Sequence, residues 1–181
     1  MEYDKKSILK NGNEAWLRNG DASDGNAVYE VFILTHAETD YLLSYPDENN
    51  FDPEQEARFL EEKTNSPNGI EIVAIVDGRV VGTAGIEAVG TKHKVRHRAE
   101  FGISVLKEYW GYGLGKALTK ACIECAREAG YVQLELNVVA ENKRAVTMYR
   151  DIGFTEFGRN PSGFNSRMSG YQEVIYMLMA L

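Results

Sequence analysis

Three glycines alternate in the segment from Trp110 to Gly115, which reads Trp-Gly-Tyr-Gly-Leu-Gly. The segment follows a strand-like run and precedes a helix-like one. Glycine has no Cβ atom, so its backbone can approach a ligand closely. The first N–H groups of a helix have no partner within the helix, and the helix dipole favours an anion beside them. The order strand, glycine turn, helix therefore predicts a phosphate cradle, although a tight turn without a ligand could use the same glycines.

Two common phosphate-binding motifs do not fit this turn. A P-loop ending at Gly115 needs a glycine where Trp110 stands and a hydroxyl residue where Ala117 stands. The dinucleotide fingerprint G-x-G-x-x-G needs its last glycine at Lys116 or Leu118, depending on the register. These mismatches disfavour a P-loop enzyme such as a nucleotide kinase and a dinucleotide-binding turn, and the turn alone leaves the kind of phosphate open.

A second block follows the helix-like run. It contains Asn142-x-x-Ala145-x-x-x-Tyr149 and then the pair Gly153-Phe154. Together, the turn and this block resemble the GNAT superfamily of N-acetyltransferases. The resemblance covers about residues 70 to 158. The Tyr-Trp-Gly sequence at the turn resembles that of a subgroup with ribosomal-protein and polyamine acetyltransferase-like members.

The resemblance implies that acetyl-CoA is bound and coenzyme A released. In this family the turn reads [QR]-x-x-G-x-[GA] and binds pyrophosphate; Trp110 replaces the usual glutamine or arginine, which leaves backbone binding there. The pantetheine arm would add like a strand beside the one ending at Val105, and Asn142 would bond that arm or order a helix start. The cofactor-binding residues implied in this way are Ile103, Ser104, Val105, Trp110, Gly111, Tyr112, Gly113, Leu114, Gly115, Lys116, Asn137, Asn142 and Ala145.

Acetyl transfer from a thioester to an amine needs a base for the amine and an acid for the departing thiolate. Tyr149 stands at the position of the family's usual acid; the alternative is a tyrosine that only packs in the core. Glu100 lies on the strand before the turn, where a glutamate is the base in some family members, directly or through water. Strand alternation places Glu100, Gly102 and Ser104 on one face. The three histidines match no base of the family.

Hydrophobic periodicity and turn residues predict the elements that position these groups. Strands are predicted over 14–18, 70–76, 79–89, 97–105, 132–138, 154–158 and 171–178, and helices over 26–37, 52–64, 113–129 and 141–151. Segments 42–51 and 160–170 read as loops, and the basic segment 92–98 as an exposed hairpin tip. This order of elements predicts a mixed α/β fold with helices on both faces of one sheet. The resemblance to the GNAT superfamily implies that the sheet is mixed, mostly antiparallel and built from six to seven strands. Cys122 and Cys125 read as small core residues of one helix, and no metal site is expected.

Composition limits the remaining choices. The 181 residues suit one compact domain, with 44% hydrophobic residues to build its core, and the resemblance implies that this domain, over 1–181, is an acetyltransferase. No apolar run reaches membrane-span or signal-peptide length, so we expect a cytoplasmic protein that does not contact the membrane. The net charge of −7 disfavours nucleic acid and suits a cationic acceptor. The expected partner is a small-molecule or protein amine: a protein N-terminus or polyamine first, then an aminoglycoside or amino acid. A homodimer and an acyl-CoA sensor without turnover are left open.

Overall fold

A computed structural model describes all 181 residues, which form eight β-strands and four α-helices. The strands are β1 (Asp4–Ile8), β2 (Glu14–Asn19), β3 (Ile70–Val76), β4 (Arg79–Ala88), β5 (Arg98–Val105), β6 (Gln133–Val139), β7 (Thr155–Ser166) and β8 (Gly170–Ala180). The helices are α1 (Gly25–Glu38), α2 (Pro53–Asn65), α3 (Leu114–Glu128) and α4 (Lys143–Ile152). No helix combines the length and apolar character needed to cross a bilayer.

The strands form one sheet in the order β1-β2-β3-β4-β5-β6-β8-β7. Every neighbouring pair is antiparallel except β5 and β6, which run parallel. The predicted mixed, mostly antiparallel α/β class is confirmed, but the sheet has eight strands and not six to seven. The prediction missed β1, whose sequence Asp-Lys-Lys-Ser-Ile lacks an apolar alternation. Charged residues are typical of such edge strands, which lack one strand partner.

The segment 160–170, predicted as a loop, belongs mostly to β7. This strand continues beyond the predicted end at Gly158 as far as Ser166, and only residues 167–169 connect it to β8. Its register with β8 is irregular between Asn160 and Phe164. Pro161 lies in this irregular stretch, where a residue without an N–H group can be accommodated in a strand. Proline and glycine therefore marked a bulge here and not a loop.

Helices cover both faces of the sheet, as predicted. On one face α3 packs the larger core cluster, with Leu114, Leu118, Cys122 and Cys125 all fully buried. Their spacing of four, four and three residues forms one apolar stripe along the helix, so both cysteines are the core residues expected from the sequence. On the other face α1 and α2 pack a smaller cluster that contains Val28, Val31, Leu60 and Val73.

Candidate active site

Strands β5 and β6 separate in the middle of the sheet. They pair only through Arg98 with Gln133, Ala99 with Leu134, and Glu100 with Glu135. Beyond these pairs β5 continues along β4, whereas β6 continues along β8. The facing edges of the two strands therefore have no strand partner and border an opening through the sheet.

The backbone of β5 presents specific groups to this opening. Next to the β4–β5 ladder, the N–H of Leu106 donates to the carbonyl of Val81. Hydrogen-bonded pairs recur at every second residue of an antiparallel ladder, so Ser104 also bonds toward β4. Ile103 and Val105 then direct their N–H and C=O groups toward the opening. This arrangement differs from the expectation for Ser104, because its peptide groups are used by β4 and only its side chain lines the cavity.

The glycine turn leads directly from β5 to the start of α3. Gly111 and Gly113 have φ angles of 88° and 95°, a region that glycine adopts without strain. Helix α3 begins at Leu114, and no side chain caps it. Its first N–H groups are therefore free of intrahelical or side-chain partners, and a Cβ atom at Gly111 would meet no heavy atom within 4 Å. Open space in front of unpartnered N–H groups fits the pyrophosphate of a coenzyme A ester.

Three cations line the cavity near this turn: Lys10, Lys116 and Arg144. Lys116 was predicted from the motif, whereas Lys10 and Arg144 were missed. The Lys10 N–H donates to the carbonyl of Tyr112 at 2.9 Å, which brings the β1–β2 connection next to the turn. No sequence signal indicated this contact, because β1 itself was not predicted. Arg144 could have been found, since it lies inside the Asn142–Tyr149 motif.

The Trp110 side chain has a defined structural role. Its Nε1–H donates to the carbonyl of Val105 at 2.7 Å, and the Arg144 guanidinium lies 5.2 Å from the centre of its ring. The carbonyl of Val105 is therefore occupied, and only its N–H remains available toward the opening. A cation over an indole ring is attracted by the ring quadrupole, so Trp110 also orients Arg144.

Helix α4 starts two residues later than predicted, because Asn142 is its N-cap. The Asn142 side-chain oxygen accepts from the N–H of Ala145 at 3.3 Å. Of the two roles left open for Asn142, its oxygen thus orders the helix start. Ala145 lines the cavity one turn before Tyr149.

Tyr149 is buried on the α3–α4 side of the opening, with only 5% of its surface exposed. Its ring makes edge-on contacts with Phe101 and Phe154, with centroids 6.1 and 5.8 Å away. The residue lines the cavity, and no protein group hydrogen-bonds its hydroxyl. Burial raises the pKa of the phenol above its usual value near 10, so the group is protonated at neutral pH.

Glu100 lies on the opposite side of the sheet, facing α1 and α2. It is the middle member of a row in which Glu87 and Glu135 are its neighbours on the adjacent strands. Glu135 is bound by Arg98 at 2.8 Å and Glu87 by Lys63 at 3.2 Å, whereas Glu100 has no ion-pair partner. Glu100 is exposed and lines the cavity, as does Asn137 of β6.

One cavity of about 840 Å³ brings these groups together. It is lined by every predicted site residue except Tyr112, which is exposed, and Leu114, which is fully buried in the core. No histidine lines the cavity. The side chains at its other end come from α1, the connection after it and the β7–β8 hairpin, and include Thr35, Thr39, Tyr41, Leu43, Phe164 and Tyr176.

The connection after α1 is fastened to the hairpin through Asp40. Its carboxylate accepts hydrogen bonds from the hydroxyls of Tyr45 at 3.1 Å, Ser166 at 2.7 Å and Ser169 at 2.8 Å. Burial opposes ionisation of this carboxyl, but the three hydrogen bonds prevail and lower its pKa. No sequence pattern indicated this contact, which fixes the wall of the cavity away from the turn.

The site and fold define the class of protein. The family model described as the acetyltransferase (GNAT) family matches residues 32–154, more than half of the chain. The chain therefore belongs to this family of N-acetyltransferase enzymes, whose typical acyl donor is acetyl-CoA. The resemblance seen in the sequence is confirmed at the level of the family.

Individual proteins are similar over nearly the whole chain. A GNAT-family acetyltransferase from Streptococcus pneumoniae has a TM-score of 0.87 and 27% identity, covering 92% of this chain and 99% of that one. An acetyltransferase from Salmonella typhimurium, solved with its cofactor acetyl-CoA, has a TM-score of 0.80 at 20% identity, covering 92% and 94% of the two chains, and shares the fold. An L-amino acid N-acetyltransferase of Escherichia coli is 26% identical over 167 residues, or 91% of this chain and 97% of the relative.

Other relatives match only in part. N-acetyltransferase 8 of Rattus norvegicus is 33% identical over 89 residues, which are 49% of this chain and 40% of that protein. The chain thus spans less than half the length of this and similar curated relatives. Mycothiol acetyltransferases also match, and so the similarities do not select the ribosomal-protein or polyamine subgroup that the turn suggested.

Proposed function

We propose that this protein transfers the acetyl group of acetyl-CoA to a primary amine by direct attack in a ternary complex. The observation that carries the proposal is the opening between β5 and β6. It has a cation-lined glycine turn at one end, a buried phenol on one face and an unpaired carboxylate on the other.

The residues present fit acetyl-CoA. The free N–H groups at the start of α3, together with Lys116 and Arg144, would bind the pyrophosphate. The edge of β5 would bond the pantetheine arm through the peptide groups of Ile103, and the N–H of Val105 would polarise the thioester carbonyl. When bound, acetyl-CoA supplies an activated acyl group.

The two proton transfers are assigned to opposite faces of the sheet. Glu100 would accept the proton of the incoming ammonium group, directly or through water, since an alkylamine with a pKa of about 10.4 is protonated at neutral pH. As the new C–N bond forms and the C–S bond breaks, Tyr149 would donate its hydroxyl proton to the leaving thiolate. The nitrogen would lose its second proton as the amide forms, and this proton would return through water to the Tyr149 phenolate. Amine and thiol then approach and depart on different sides of the opening, and neither crosses the path of the other.

The acceptor is proposed to be cationic, with a protein N-terminal amine or a polyamine-like amine as the first choices. The row of Glu87, Glu100 and Glu135 borders the face from which the amine would arrive, and only two of these carboxylates have cationic partners. A negative surface at this entrance would attract positively charged acceptors.

The test is turnover with a panel of amines, with released thiol and acetylated product as the readouts. Thiol release that requires both acetyl-CoA and an amine, together with the product mass, would support the proposal. Binding of acetyl-CoA without thiol release by any amine would instead indicate a sensor domain. A protein that does not bind acetyl-CoA in calorimetry would contradict the assignment of the turn.

A further inference from the structure

A second cavity of about 420 Å³ lies beside the first, on the α1–α2 side of the sheet. Its side walls are aromatic, and its polar groups are two carboxylates, two hydroxyls and the amide of Gln55. Ser104 lines both cavities, so the second one adjoins the candidate active site. The lining residues used below are Phe32, Phe51, Phe59, Glu56 and Glu71.

A row of glycines connects Glu71 with the opening between β5 and β6. Glu71 of β3 pairs with Gly85 of β4, which pairs with Gly102 of β5. A Cβ atom at Gly85 would overlap the Glu71 carboxylate, so this carboxylate lies over β4 because residue 85 is a glycine. A Cβ atom at Gly102 would meet nothing within 4 Å. No side chain therefore separates the carboxylate from the edge of β5.

The two carboxylates of this cavity have no cationic partner. Neither Glu56 nor Glu71 takes part in a salt bridge, and the nearby Lys63 is bound to Glu87 at 3.2 Å. Burial raises the pKa of Glu71 to about 7, and it also raises the pKa of Glu56. A cationic ligand would stabilise the ionised form of both groups, and the aromatic walls would add attraction for a positive charge.

We propose that this second cavity binds a second cationic group of the acceptor, while the first amine reacts at the opening. The inference rests on the proposed function and narrows it to acceptors that carry two positive charges on a linear aliphatic chain. Because strands lie about 4.8 Å apart, the Glu71 carboxylate over β4 is roughly 7 Å from the middle of the opening. Allowing for contact distances, the two nitrogens would be about 7–10 Å apart, which suits roughly five to seven methylene groups.

The test compares unbranched diamines with monoamines of the same chain length, using thiol release as the readout. For each length the measured quantity is the ratio of kcat/KM for the diamine to kcat/KM for the monoamine. We expect this ratio to be greatest at about five to seven methylenes. Glu71→Gln should lower it by roughly 10- to 100-fold, the range for a hydrogen bond to a charged group. Glu61→Gln removes the same charge from an exposed position of α2 and should leave the ratio unchanged.

A second variant tests the path without touching the carboxylates. Gly102→Val places a β-branched side chain in open space within a strand, so it should fold. It should lower the same ratio by narrowing the passage to Glu71. The ratio is internal to each variant, so a partly unfolded preparation does not affect it.

The outcomes separate the two proposals. The second binding site is wrong if amines are acetylated but the diamine-to-monoamine ratio of kcat/KM is near one at every length. It is also wrong if this ratio is the same as in the wild type in both Glu71→Gln and Gly102→Val. In either case the proposed acetyltransferase activity is still supported. If no amine, with one or two amino groups, releases thiol, the proposed function fails and the second site fails with it.

Discussion

Replacing Tyr149 with phenylalanine removes one hydroxyl group and almost no volume. The ring contacts with Phe101 and Phe154 do not involve the hydroxyl, and no protein group depends on it for a hydrogen bond. The substitution therefore leaves no buried polar group without a partner. We expect the free energy of unfolding to change by no more than about 1 kcal/mol.

The expected effect on catalysis follows from the acidity of the two groups. Burial holds the pKa of Tyr149 above 10, whereas a thiol has a pKa of about 8.5. Proton transfer from the phenol to a fully formed thiolate is therefore uphill, and a thiolate is already a moderately good leaving group. General-acid catalysis is typically worth about 10²–10⁴-fold. We place Tyr149→Phe at the lower end, with kcat and kcat/KM both reduced about 10- to 100-fold.

The assay is steady-state turnover with a working amine from pH 6 to 9, together with calorimetric binding of acetyl-CoA. Because the raised pKa keeps the phenol protonated throughout this range, the ratio of wild-type to variant activity should not depend on pH. Cofactor affinity should be nearly unchanged, since the lost interaction forms mainly in the transition state. Wild-type kcat in a reaction limited by chemistry would refute the acid role, and weakened cofactor binding at unchanged kcat would make Tyr149 a binding residue.

Three further predictions address cofactor binding and stability. Gly115→Val should weaken acetyl-CoA binding in calorimetry by at least about tenfold while the protein stays folded, because a Cβ atom there would make only ordinary contacts, with the flexible end of Met148 at 3.5 Å and Cδ1 of Ile103 at 3.9 Å; unchanged affinity would show that the turn does not bind the pyrophosphate. Trp110→Phe removes the bond to Val105 but keeps a ring, so the affinity should fall by less than about tenfold; a hundredfold loss would reveal direct cofactor contact. Burial raises the pKa of Glu71 in the folded protein to about 7, so the protonated carboxyl stabilises the fold below pH 4.5, and this stabilisation is lost as the pH rises through about 7. Glutamine stays neutral at every pH, so the Tm of Glu71→Gln minus that of the wild type should be greater at pH 8 than at pH 4.5. An equal difference at the two pH values would contradict this.

The centre of the fold was readable from the sequence because its signals are local. Asp77-Gly78 marks a hairpin, and Asp52 with Pro53 marks a helix start; the structure has both, with the Asp52 carboxylate accepting from the N–H of Gln55. The glycine turn was likewise predictable, since a left-handed backbone at Gly113 selects glycine whatever surrounds it. Each of these features depends on residues within a few positions in the chain.

The features that the sequence did not reveal depend on contacts between distant segments. Lys10 reaches the turn through an edge strand whose charged sequence resembles a loop. Asp40 and Ser166 are 126 positions apart, and their hydrogen bond fixes the wall of the cavity away from the glycine turn. Ser104 could be placed in a strand, but the direction of its peptide groups required the register with β4. If the proposed acceptor binds at this end of the cavity, its recognition would depend on such contacts, and for this reason the kind of acceptor could only be ranked from the sequence.

The spacing in the Asn142–Tyr149 motif has a geometric explanation in α4. A helix turns once every 3.6 residues, so Ala145 and Tyr149 lie one above the other on the same face. The cap formed by Asn142 fixes where the helix begins, and thereby the direction in which this face points. The small Ala145 side chain leaves room at the cavity wall, and Tyr149 follows one turn deeper, between Phe101 and Phe154. Moving the cap by one residue would rotate the phenol by about 100° away from the opening. If Tyr149 acts as proposed, Asn142 would affect catalysis by positioning alone, because its oxygen bonds only the backbone of its own helix.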